Sequence, residues 1–181
     1  RNVTNRWGPK CLPALSLKAG VPDSLRTLLV VPILITREEN IAEQVARLEV
    51  HYLSNADARL RFMLLSDWAD SDTETLPSDQ PLLDRLRVGI RDLNKRYAGT
   101  GPPLFMLLHR RRLWNDAQGK WMGWERKRGK LHELNQLLRG ATDTSFLDLD
   151  GVFGQIPKDV RYVITLDADT RLPRGAAKRL V

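Results

Sequence analysis

Four short, unbroken apolar runs constrain this chain most: Leu28-Leu-Val-Val-Pro-Ile-Leu-Ile35, Phe62-Met-Leu-Leu65, Leu104-Phe-Met-Leu-Leu108 and Tyr162-Val-Ile-Thr-Leu166. A run without polar alternation reads as a strand buried on both faces. Between the runs lie apolar residues at helical spacing: Ile41, Val45, Leu48 and Tyr52; then Leu82, Leu83, Leu86, Ile90, Leu93 and Tyr97; then Leu131, Leu134, Leu137 and Leu138. Buried strands alternating with amphipathic helices predict an α/β fold with a mostly parallel sheet and flanking helices. Residues 1–25, punctuated by Gly8, Pro9, Pro13, Gly20 and Pro22, read as a lead-in or linker, and 26–181 as the folded part.

Several local expectations follow. Pro32 cannot donate to a ladder and is expected to end the first strand. Thr36 with Glu39, and Asn40 with Glu43, form overlapping capping-box patterns ahead of the first helix. Residues 141–158 read as irregular connection, Gly140 as the residue closing a helix, and Pro173 as the first turn of a last helix. In an open parallel sheet, ligands bind outside the carboxyl ends of the strands. Thr36, Asp67, His109 and Asp167 stand after the four runs and are expected along that edge.

Cys11 is the only cysteine, which excludes an internal disulfide scaffold. The longest apolar run falls far short of the roughly 20 residues a membrane helix needs, and no signal peptide is visible. The net charge is +7 with a pI near 9.9, which points to an anionic partner. The charge is segregated. From His109 to Arg139, nine basic residues meet three acids, Asp116, Glu125 and Glu133. From Ser66 to Asp84, six acids meet no Lys or Arg. Either the two segments build a field around a charged ligand, or they are two solvated loops of opposite sign.

Asp167-Ala-Asp-Thr170 directly follows the last apolar run. Two carboxylates at i and i+2 past a buried strand are one way to hold Mg²⁺, which takes oxygen ligands and keeps substrate phosphates in its shell. A solvated turn is the plain alternative. A P-loop ATPase is excluded, because Gly123 to Leu131 has five residues between its glycines and Leu131 in place of the hydroxyl. An aspartate-nucleophile phosphatase departs from its pattern at Arg171. A nucleotide-sugar glycosyltransferase uses Asp-x-Asp to hold a metal on the donor diphosphate. A basic nucleic-acid-binding module is the alternative from another class, favoured by the pI and the Arg/Trp-rich segment but lacking a recognised motif.

Longer stretches favour the glycosyltransferase. Leu48-Glu-Val-His-Tyr-Leu53, His109-Arg-Arg-Arg-Leu-Trp-Asn115, Trp121-Met-Gly-Trp-Glu-Arg-Lys-Arg-Gly-Lys-Leu131, Glu133-Leu-Asn135 and Val163-Ile-Thr-Leu-Asp-Ala-Asp-Thr-Arg-Leu-Pro-Arg174 carry a resemblance over Arg26 to Val181. The sequence resembles the glycosyltransferase domain of the cyclic β-1,2-glucan synthases, and more distantly other processive family 2 enzymes. The resemblance implies a GT-A-like fold, of which this is the N-terminal, donor-binding part. It implies inverting transfer of glucose from UDP-glucose to a growing β-1,2-glucan, with a different donor or linkage as the variant reading. It places Thr36, Glu39, Asp67, Lys127, Arg128, Gly129, Lys130, Asn135 and Asp167 at the nucleotide-sugar. It gives Asp167 and Asp169 to a divalent cation, Mg²⁺ or Mn²⁺. Such a cation would stabilise the departing nucleoside diphosphate, and the basic stretch would neutralise it.

The same resemblance implies a general base and a Gln-x-x-Arg-Trp motif beyond Val181, so no catalytic base is assigned within these residues. It also implies a parent embedded in the bacterial inner membrane with its catalytic domain on the cytoplasmic side, and no nucleic-acid partner. Trp114 reads as a loop anchor, whereas Trp121 and Trp124 read equally as anchors or as surfaces for sugar rings. His51 reads as structural, and His109 lies near the site without a proton-transfer role.

Overall fold

The computed structural model describes residues 17, 20–99 and 101–181. The lead-in expected over 1–25 lies largely outside the described residues, and Cys11 lies outside them entirely. The elements run β1 (Thr27–Ile35), α1 (Glu38–Ser54), β2 (Leu60–Trp68), α2 (Asp79–Arg96), β3 (Phe105–Arg110), β4 (Leu113–Asn115), β5 (Lys120–Met122), α3 (Arg126–Leu138), β6 (Phe146–Leu147), β7 (Tyr162–Thr165) and α4 (Ala177–Leu180). Five strands form one sheet in the order β6-β3-β2-β1-β7. β3, β2, β1 and β7 are parallel, and β6 is antiparallel on the β3 edge. The fold is α/β with a mostly parallel, mixed sheet and flanking helices.

The unbroken apolar runs are explained by a core on each face of the sheet. Leu29, Val31, Ile33 and Ile35 of β1, with Phe62 and Leu64 of β2, pack with Ile41, Leu48, Leu83, Leu86 and Ile90 of α1 and α2. Leu28 and Val30, with Met63, Leu65, Met106 and Leu108, pack on the other face with Leu134 of α3. Alternate residues serve opposite cores, so every position is apolar. Each fully buried Leu or Val contributes about 1.5–3 kcal/mol relative to exposure.

β7 departs from the expectation of two buried faces. It bonds only to β1 and forms the sheet's edge, with Tyr162 and Val163 41% and 42% exposed. Pro32 does not end β1, which continues to Ile35. Val30 turns its carbonyl to the β7 side, where it accepts from the Leu166 N–H (2.9 Å). Residue 32 shares that parity, so the proline nitrogen faces a side where β7 pairing has already stopped at Val30. The capping boxes are not formed: α1 begins after Arg37, which makes no side-chain cap. The last helix starts at Ala177 rather than around Pro173, whose carbonyl closes a preceding turn with the Ala176 N–H. Gly140 closes α3 at φ +92° as expected.

The β4–β5 hairpin leaves no periodic signal in the sequence, because its strands are three residues each. Its turn uses Gly119 at φ +59°, with the Gly119 N–H donating to the Asn115 carbonyl (2.8 Å). β6, within the stretch expected to be irregular, pairs Phe146 with Arg110 and Leu147 with His109.

Candidate functional site

The chain steps outward from β1 to β2 to β3, then returns to place β7 on the other side of β1. This reversal is the switch point at which open parallel sheets leave a crevice at their carboxyl ends. A cavity of about 510 Å³ lies there, walled by the end of β1 (Pro32 to Leu34, and Thr36), Asn40 and Gln44 of α1, Asp67 of β2, Ala168 after β7, and Arg126, Lys127 and Lys130 of α3.

Its floor is a buried charge network. Arg110, 1% exposed, grips Asp67 with two hydrogen bonds, Nε to Oδ1 (2.8 Å) and Nη2 to Oδ2 (2.9 Å). Its Nη1 donates to Glu133 Oε1 (2.8 Å). Lys130 Nζ donates to the Ile33 carbonyl (2.7 Å) and lies 3.0 Å from Asp67 Oδ2. Burial pushes the Lys130 ammonium below the ordinary lysine range, against the pull of Asp67. Burial also pushes Glu133 upward, but the Ser145 N–H, the Arg110 guanidinium and the Ser145 hydroxyl together hold it below the ordinary glutamate value. Fully desolvated charges survive only when paired and hydrogen-bonded, and this set meets that requirement.

Arg110 also orders the loop above it. Its Nη1 donates to the Trp124 carbonyl (3.1 Å) and its Nη2 to the Arg126 carbonyl (3.0 Å). Between these carbonyls, Glu125 and Arg126 adopt left-handed backbone at φ +50° and +45°. Such conformations cost about 1–3 kcal/mol each for non-glycine residues and persist only where the surroundings impose them. Two glycines permit the crowding. A Cβ on Gly123 would stand 2.7 Å from Arg110 Nη2, and one on Gly129 would stand 1.8 Å from the Trp124 carbonyl oxygen.

The segregated charges neither build an open field nor dissolve into two solvated loops; they face each other. Arg112 pairs with Asp79, Lys120 with Asp72, and Arg126 with Asp70. Backbone bonds between Ser71 and Trp121 (2.9 and 2.8 Å) lock the acidic loop to the hairpin. Lys127 pairs with Asp167 and Arg128 with Glu125.

Of the residues expected at the nucleotide-sugar, Thr36, Asp67, Lys127 and Lys130 line the cavity. Asp167 joins them through Lys127 and lies next to Ala168 in its wall. Gly129 is buried beneath the Trp124 carbonyl. Glu39, Arg128 and Asn135 are exposed and do not line it. Asp167 and Asp169 are both exposed, in a turn closed by the Thr170 N–H on the Asp167 carbonyl (2.9 Å). Among the described residues, no three His, Cys, Asp or Glu side chains converge on one point. Two carboxylates are fewer oxygens than Mg²⁺ takes, so a cation held there would draw its remaining ligands from elsewhere, and Asp167 is already paired with Lys127.

His109 is fully buried; its Nδ1 meets the Ser66 hydroxyl at 2.8 Å, and the ring packs edge-on to Trp68. Burial pushes it down to about 3, so it is neutral at physiological pH. His51 is buried and its pKa is lowered, by burial first and Arg47 second. Trp114 does not anchor its loop to the domain. It is 48% exposed and packs edge-on to Trp121 across the hairpin. The cavity residues that spacing did not signal are Asn40, Gln44 and Arg126, together with the hub Arg110. The Arg110-Arg-Arg112 triplet reads as one basic patch, although Arg110 and Arg112 are each buried against carboxylates and Arg111 is exposed.

No family model matches the chain. A cyclic beta-(1,2)-glucan synthase, NdvB, of Rhizobium meliloti (strain 1021) is 52% identical over 173 residues, 96% of this chain and 6% of that protein. The chain is related to this synthase. It spans only a small part of the synthase's length. Among the described residues, no helix is long and apolar enough to cross a membrane.

Proposed function

We propose that this chain is the donor-binding part of a nucleotide-sugar-dependent glucosyltransferase that builds β-1,2-glucan. The observation that carries the reading is the cavity at the switch point, with Lys127, Lys130 and Arg126 on one wall and the Asp167-Ala-Asp169 turn at its mouth. The relative's printed activity, synthesis of a cyclic β-1,2-glucan, supplies the sugar class. In this reading the donor is UDP-glucose, the fold is GT-A-like, and transfer inverts the anomeric centre. Thr36, Asn40 and Gln44 offer hydroxyl and amide groups to the uridine end. Lys127 and Arg126, both half exposed, turn from their carboxylate partners to the diphosphate. Lys130, held by three oxygens, contributes fixed positive potential from the floor.

Asp167 and Asp169 would hold Mg²⁺ or Mn²⁺, which supplies charge neutralisation to the departing diphosphate. In this reading no general base is assigned among the described residues, and the protein works at the bacterial inner membrane with this part on the cytoplasmic side. The test is calorimetry of UDP with the folded 181-residue chain. Saturable binding that requires Mg²⁺ or Mn²⁺ and falls at least tenfold in Asp169→Ala is expected. A folded chain that ignores UDP in both metals refutes the reading.

A further inference from the structure

A second, smaller cavity of about 190 Å³ lies beside the first, lined by Asn115, Gln118, Met122, Trp124, Glu125 and Arg126. Arg126 alone lines both. The chemistry of this cavity differs from that of its neighbour. Its lining combines a tryptophan and a methionine with two carboxamides, a carboxylate and a guanidinium. Asn115 Oδ1 accepts from the Gln118 N–H (3.1 Å), and Gln118 Oε1 accepts from Arg126 Nη2 (3.2 Å). Both amide NH₂ groups remain without a partner among the described residues.

Trp124 is presented there against its own preference. The residue is 47% exposed, with its ring against His132 of α3 (centroids 6.0 Å apart), although an indole of this size is ordinarily buried. The backbone holding it out contains the two left-handed residues Glu125 and Arg126. It is pinned by Arg110 on the Trp124 carbonyl and needs the missing side chain of Gly129. A loop that only had to connect β5 to α3 would not need this strain. Strain of this kind clusters where a structure presents a binding group.

We infer that this cavity is a glucosyl subsite, in which the face of a sugar ring stacks on Trp124 while its hydroxyls meet Asn115, Gln118 and Glu125. An indole face suits the axial C–H surface of a glucose ring, and the amides suit its rim of hydroxyls. This rests on the glycosyltransferase reading. The ring can come from the glucan acceptor or from the donor, and the shared Arg126 sets either one next to the diphosphate.

The experiment is calorimetry with saturation-transfer NMR on the 181-residue chain and its Trp124→Ala, Trp124→Tyr and Asn115→Ala/Gln118→Ala variants. Folding is checked by circular dichroism. The ligands are UDP, UDP-glucose and a short β-1,2-linked gluco-oligosaccharide. If the ring belongs to the glucan, the oligosaccharide binds and weakens about tenfold in Trp124→Ala, the scale of one lost aromatic contact. Trp124→Tyr keeps most of the affinity, and UDP binding stays unchanged. If the ring belongs to the donor, the gain of UDP-glucose over UDP disappears in Trp124→Ala instead. Oligosaccharide bound at Trp124 by a chain that ignores UDP keeps the sugar site and removes the donor reading. UDP binding with neither sugar effect removes the sugar site alone. Trp124→Ala within twofold of the native chain for both sugar ligands also overturns it.

Discussion

Replacing Arg110 by Met is expected to be among the most damaging single changes in the described structure. The side chain donates five hydrogen bonds: two to Asp67 and one each to Glu133, Trp124 and Arg126. Methionine fills comparable volume and satisfies none of them. Asp67, 2% exposed, keeps Lys130 as its only ion-pair partner among the described residues, and the strained Glu125–Arg126 turn loses both anchoring bonds. Removing one partner of a buried ion pair costs about 3–5 kcal/mol. At roughly 2–4 °C per kcal/mol for a domain of this size, Tm should fall by roughly 6–20 °C. Urea unfolding followed by circular dichroism measures this, with an unchanged m-value confirming that the same transition is compared. Two controls isolate the cause. Arg128→Met removes an exposed pair with Glu125 and should cost less than about 0.5 kcal/mol. Asp67→Asn made in the Arg110→Met background should add far less than it does in the native chain, a coupling above about 1 kcal/mol. A loss below about 1 kcal/mol for Arg110→Met, or strict additivity with Asp67→Asn, would show that Arg110 is not the hub described here.

His109 titrates near 6.5 when unfolded and near 3 when folded. Its contribution is therefore complete above about pH 6.5 and declines as pH falls toward 3, by about 1.4 kcal/mol per unit. His109 should cost about 2 kcal/mol of stability between pH 6.5 and 5, before most carboxylates titrate, and His109→Gln should remove that part of the slope and leave the share of His51, which burial also lowers; a native curve flat over this interval contradicts the burial. Glu133, held low, adds a loss that begins below about pH 5 and continues through its folded value, and Glu133→Gln should remove it. Gly129→Ala gains about 1 kcal/mol of helix propensity yet must displace the Trp124 carbonyl, so a net loss of roughly 1–3 kcal/mol is expected. Urea melts decide the last case, and a stabilised Gly129→Ala would mean that the loop is not pressed against α3.

The parallel sheet was legible because its signal is collective: runs such as Leu28 to Val31 serve two cores, and nothing but a doubly covered strand asks for that pattern. Of the four residues expected past the strands at the carboxyl edge, Thr36 and Asp67 line the cavity and Asp167 stands beside it, but Asp67 lies within β2 and His109 is buried within β3, away from the cavity. What stayed hidden depends on tertiary partners. Pro32 is tolerated only because β7 pairing stops at Val30. The basic and acidic segments look like independent features until Arg112 is seen on Asp79 and Arg126 on Asp70, partners 33 and 56 residues apart. Arg110 and Arg112 point inward and Arg111 outward, an alternation that three identical side chains cannot announce. The resemblance places Gly129 at the nucleotide-sugar, whereas in the fold the Trp124 carbonyl fills the space beside its Cα.

The proposed function requires a diphosphate and a cation to meet between Lys127 and the Asp167–Asp169 turn. Mn²⁺ added to the ¹⁵N-labelled chain with saturating UDP tests this directly, because the ion broadens amide signals of residues close to it. Selective broadening of Asp167 to Thr170 and of Lys127, present with UDP and lost in Asp169→Ala, is the predicted result. Broadening that ignores UDP, or that centres on the exposed acids of residues 70–74, would contradict it.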